Sequence, residues 1–85
     1  MTKVLQDVSL GDNLRKYRKL KGLTQAEVCA RLTLLGRPMQ QSNYALIESG
    51  HRNIFISDLV ALKQIFGVSY NDLFEGITIK SKDHE

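Results

Sequence analysis

Between positions 40 and 53 the chain carries Gln40-Gln41-Ser42-Asn43, a short mixed run from Tyr44 to Ser49, and then Gly50-His51-Arg52-Asn53. With no nucleophile–base pair apparent among them, these residues point to hydrogen-bond chemistry. A glutamine such as Gln41 can bond two atoms of one flat polar edge, as with adenine N6 and N7, and the Ser42 hydroxyl can donate to or accept from several bases. Ala45 and Leu46 add apolar contact suited to a thymine methyl. Gln25, Gln40, Asn43, Arg52 and Asn53, with Arg37 beside Pro38, are candidates for holding phosphate. Helix starts present free backbone N–H groups and a dipole that both favour an anion, and guanidinium and amide donors complement them.

The elements that must position these groups are short helices. Ser9 is a plausible N-cap with Asp12 three positions on. Leu10, Leu14 and Tyr17 then follow at i, i+4 and i+7 on one helical face, with Arg15, Lys16 and Lys19 on the solvated side, and Gly22 supplies a stop. Thr24 and Glu27 form the T-x-x-E pattern of a capping box, which opens a second helix carrying Val28, Cys29 and Leu32 towards Gly36. Arg37-Pro38 makes a break, because proline disfavours helix at the residue before it. A third helix runs from about Gln40 or Gln41 to Ser49. In it Tyr44 and Ile47 lie within ~60° of each other and point inward, leaving Ser42, Ala45, Leu46 and Ser49 on the opposite arc. Residues 51–56 read as a loop. Ser57 caps a fourth helix with Leu59, Leu62 and Phe66 inside, and Ser69 with Asp72 caps a short fifth helix holding Leu73 and Phe74. The expectation is an all-α, five-helix domain over residues 9–75, with an arm at 1–8 and a tail at 76–85. Ile77 to Ile79 are open to a short strand or a dimer arm.

Arg18 falls at the border of the apolar face of helix one, and Glu48 at that of helix three. A guanidinium and a carboxylate so placed can form a bidentate bridge that fixes the third helix; the alternative is two independent exposed charges.

Composition removes several function classes. At 85 residues and 42% hydrophobic content the chain is one globular domain. Its net charge of +3 permits a polyanion partner without demanding one. There is one cysteine, Cys29, and neither histidine has neighbouring ligand types, so no metal and no cofactor are expected. No nucleophile–base pair, paired carboxylates or phosphate-cradling glycine loop is apparent, which argues against an enzyme. No apolar run is long enough for a membrane helix, and the start lacks a signal-peptide core, so a cytoplasmic, reduced setting is expected.

Taken together, Arg18, Gly22-Leu23-Thr24-Gln25-Ala26-Glu27-Val28, Ile47-Glu48-Ser49-Gly50-His51-Arg52-Asn53, and Gly67-Val68-Ser69 with Asp72-Leu73-Phe74 resemble the phage repressor and Cro-type (xenobiotic-response-element-like) helix-turn-helix family over roughly residues 10–75. The resemblance implies a compact five-helix fold in which helix three reads bases through Gln41, Ser42 and Leu46. It also implies that Gln25, Gln40, Arg52 and Asn53 approach phosphates, and that Arg18 bridges Glu48. The chain departs from the family by extra residues within Thr33 to Pro38, which imply a longer helix two and a longer link that can bring Arg37 to the backbone. The expected function is transcription regulation, by a repressor binding double-stranded DNA as a homodimer on a near-palindromic operator. The rivals are an antitoxin or phage-control protein that also binds a protein partner through the tail, and a helical interaction module without DNA binding.

Overall fold

Local capping and stop signals set most of the helix boundaries. The Thr24 hydroxyl accepts from the Glu27 N–H (3.1 Å) while the Glu27 carboxylate accepts from the Thr24 N–H (2.8 Å). Ser69 and Asp72 repeat the exchange at 3.0 Å each way. These boxes open α2 (Gln25–Leu34) and α5 (Tyr70–Leu73). The backbone hydrogen bonds also pull the Glu27 and Asp72 carboxyls below their ordinary pKa values. At the other ends, α1 (Gly11–Leu20), α2 and α3 (Gln41–Glu48) stop by the same Schellman lock. In each, the residue after a left-handed glycine bonds back five positions: Leu23 to Arg18, Arg37 to Leu32, and His51 to Leu46. The lock after α2 matters most, since it gives Arg37 a defined backbone position.

The structure, a computed structural model, describes residues 9–79 and the backbone of Lys3–Val4. α4 (Ile56–Phe66) completes the five helices. A small two-stranded antiparallel ladder joins β1 (Lys3–Val4) to β2 (Ile54–Phe55), with Lys3 opposite Phe55 and Val4 opposite Ile54. The fold is all-α in class, and this ladder ties the N-terminal segment to the loop after α3. The core is one cluster in which Leu14, Val28, Leu32, Tyr44, Ile47, Ile54, Leu62 and Leu73 are closed to solvent.

Several local expectations change. Leu10, not Ser9, precedes α1; the Ser9 hydroxyl accepts from Gly11 N–H at 3.1 Å, two residues on. Ser57 lies inside α4, whose N-cap is Phe55. The ladder ends at Phe55 and the helix starts at the next residue, before the serine can cap it. The expected 51–56 loop therefore contains β2. Phe74 caps α5 and stays 43% exposed, leaving Leu73 as the buried anchor. Ile77 packs partly against the core and Ile79 is exposed, without strand structure at either. The tail beyond Ile79, and all of the arm but Lys3–Val4, lie outside the described residues.

One constraint is invisible in the pattern. Gly11, at the start of α1, sits against the last turn of α3 so closely that a Cβ there would stand 1.9 Å from the Glu48 carbonyl oxygen. Backbone meets backbone, so nothing flexible can give way. Gly11→Ala should therefore cost at least the ~1–3 kcal/mol of an overpacked core, with a matching drop in melting temperature by circular dichroism. An unchanged melt would show that α1 and α3 can separate freely.

Candidate nucleic-acid interface

α3 is anchored by Tyr44 and Ile47, both closed to solvent. Its other side presents Gln41, Ser42 and Leu46 exposed, with Ala45 and Asn43 half-buried. Leu46 keeps 42% exposure on a helix where a solvated face would ordinarily carry Lys or Glu. Gln40 is exposed as the N-cap and makes no side-chain cap bond. Ser49 is occupied locally: its hydroxyl donates to the Leu46 carbonyl (3.0 Å) and stands 3.0 Å from His51 Nδ1. Glu48 is the only charged residue of this helix, and it is buried. The outward face is thus free of carboxylate, which a phosphate-lined groove would repel.

Glu48 is the centre of a polar hub. Arg18 donates to it twice, Nε to Oε2 at 2.7 Å and Nη2 to Oε1 at 3.2 Å, and reaches the Leu23 carbonyl with Nη1 at 2.9 Å. The two side chains thus meet as a bidentate bridge rather than as independent exposed charges. Gln25 Nε2 donates to the same carboxylate at 3.1 Å, and Arg15 Nε lies 3.6 Å away. The Tyr44 hydroxyl is buried beside the hub without a hydrogen bond of its own. Burial first, and then the Glu48 carboxylate, raises its pKa and keeps it protonated. For Glu48 itself burial pushes the pKa up, but the polar groups of Arg18, Tyr44 and Gln25 outweigh this and hold it below the ordinary carboxylate range. Arg18 is raised in turn, chiefly by its bond to Glu48.

The hub alters one expectation. Gln25 stands at the start of α2, yet its side-chain amide turns inward to Glu48, so its backbone N–H and second amide hydrogen are what remain for an anion. Arg15 is on the solvated side as expected, and its guanidinium also reaches the edge of the hub.

A cleft of about 550 Å³ adjoins α3. Arg37, Gln40, Asn43, Arg52, Asn53 and Asp58 all line it, so five of the six phosphate candidates converge on one surface and Gln25 stands apart on the hub. Arg37 Nε donates to Asp58 at 2.7 Å, and its guanidinium lies 5.8 Å from the centre of the Phe55 ring. The sequence pattern does not single out Asp58 or Phe55. The one available signal is an acidic residue in the first turn of α4, which reads equally well as a helix-dipole partner. Cys29 is buried, and loss of solvation raises its thiol pKa, which suits packing rather than reactivity.

Among the described residues no His, Cys, Asp and Glu cluster could hold a metal ion, and no helix is long and apolar enough to cross a membrane. A helix-turn-helix family model matches residues 14–73, most of the chain. The chain belongs to the helix-turn-helix family. Membership indicates a DNA-binding transcription regulator, and the match spans both the Arg18–Glu48 hub and the cleft. No curated protein and no solved structure matches the chain.

Arg18→Met should remove ~3–5 kcal/mol by leaving a buried carboxylate unpaired, read as a large fall in thermal midpoint. A midpoint equal to the parent's would show the bridge to be incidental. The depressed Glu48 pKa also sets a pH dependence. Its stabilisation is complete above the unfolded-state value of ~4.3 and is lost as pH falls through the lower folded value. Glu48→Gln should flatten that acid limb of a stability–pH curve; an acid limb identical to the parent's would contradict it.

Proposed function

We propose that this helix-turn-helix protein is a sequence-specific repressor that lays α3 in the major groove of double-stranded DNA. The observation carrying this reading is the outward face of α3: uncharged, slim and exposed, on a helix whose one carboxylate is withdrawn into the hub. In this reading Gln41 pairs with an adenine edge, Ser42 with a neighbouring base, and Ala45 and Leu46 with thymine methyls. Gln40, Asn43, Arg52 and Asn53, with Arg37 and the helix-start backbone at Gln25, hold the phosphates that set register. Occupying the groove is enough to exclude other proteins from the site, so repression needs no further machinery.

So few base contacts give one copy little specificity. A homodimer on half-sites about one helical turn, ~34 Å, apart would multiply it and require a near-palindromic operator. Tyr70, Phe74 and Ile79 are exposed at the C-terminal side and supply apolar surface for such a pairing. The same side would serve the second reading, in which the tail also engages a protein partner.

Selection from random duplexes tests the reading in one step. It should return a motif with two inverted half-sites about ten base pairs apart. Against that motif Gln41→Ala should lose ~1–3 kcal/mol of affinity and relax preference at one base position per half-site. No enrichment would reject DNA reading, an asymmetric single site would reject the dimer, and unchanged affinity would remove Gln41 from its role.

A further inference from the structure

Arg37 lies within the segment that separates α2 from α3, directly after the glycine that stops α2, and three contacts hold it. Its N–H closes the last turn of α2 on Leu32 O at 2.8 Å. Its Nε donates to Asp58 Oδ1 at 2.7 Å, and its guanidinium packs 5.8 Å from the Phe55 ring centre. A long side chain normally loses its rotamer freedom when it binds; here that ordering is made within the protein itself. The Asp58 contact uses one edge of the fork. The two Nη groups carry four of the five guanidinium N–H donors, in a geometry suited to phosphate oxygens. Arg37 lines the same cleft as Arg52 and retains 28% side-chain exposure, against 6% for Asp58.

We infer that Asp58 is a positioning residue for a phosphate clamp, holding Arg37 by Nε so that its Nη edge takes a phosphodiester oxygen of duplex DNA in the cleft shared with Arg52. The inference rests on the DNA-binding reading and extends it: the extra residues between α2 and α3 deliver a backbone contact, and a residue that touches no DNA aims it. Asp58 is itself an anion on the cleft wall. Arg37 balances that charge, and Arg52 brings a second cation to the wall. Charge alone therefore predicts that removing Asp58 tightens binding, whereas positioning predicts that it weakens binding.

Phosphate contacts are independent of sequence, so a mixed-sequence duplex serves as the probe, with affinity followed by fluorescence anisotropy across a salt series. Arg37→Met should bind about tenfold more weakly near 0.1 M salt, and its log–log salt slope should be shallower by about 0.9, as expected when one fewer phosphate is neutralised. Asp58→Leu should show a similar weakening and the same change in slope. Asp58→Asn still offers an oxygen to Nε and should recover most of the parent slope. Where Asp58→Leu alone fails to fold, the double variant Arg37→Met/Asp58→Leu removes both partners together and should bind as Arg37→Met does. A parent-like slope for Arg37→Met, tighter binding on either Asp58 change, or a still shallower slope in the double variant would overturn the clamp. If the parent binds no duplex, the DNA-binding reading itself falls and the clamp with it.

Discussion

The bidentate pair of Arg18 and Glu48 is the interaction on which the rest depends. It joins α1 to the last residue of α3, with Gln25 adding α2 and Arg15 standing close by. A carboxylate closed to solvent is costly unless its lone pairs are filled, and here three donors from two helices fill them. Apolar packing of Tyr44 and Ile47 sets how deep α3 sits; the hub sets how it is turned about its own axis. The proposed reading of DNA by α3 needs both, because a rotation of one residue would put different side chains on the outer arc.

The surface divides into two regions on that frame. The outer arc of α3 mixes polar and small apolar side chains without charge. The cleft beside it gathers Arg37, Gln40, Asn43, Arg52 and Asn53, three of them brought from beyond α3 and its caps. Phosphate contacts supply affinity and register while base contacts supply discrimination, so in the proposed reading the two tasks fall to different neighbouring groups. The ladder between β1 and β2 belongs to the same frame, since it steadies the backbone directly after Arg52 and Asn53.

Much of this is legible in sequence because it is local or periodic. The capping boxes at Thr24 and Ser69 need only residues three apart, and the inward turn of Tyr44 and Ile47 follows from helical spacing. Arg18 and Glu48 can be paired because each borders an apolar face, which predicts where a long polar side chain ends. What escapes is set by distant backbone. Nothing near Ser57 reveals that β2 pairs with β1 and ends at Phe55, so that the helix has begun before the serine could cap it. Asp58 lies 21 positions from Arg37 and each has an ordinary local explanation. Gln25 is rightly expected at a helix start, but the hub competes for its amide, and no local pattern shows a competitor from another helix.

The contact between Gly11 and the Glu48 carbonyl has an evolutionary consequence. Two main chains in touch leave no cushion of side chains through which α3 could roll or slide. If α3 reads DNA as proposed, a new preference cannot come from re-seating the helix; it must come from exchanging the outward residues one at a time on a stationary platform. Such a protein can drift widely in what it recognises while the angle of approach stays the same in every descendant.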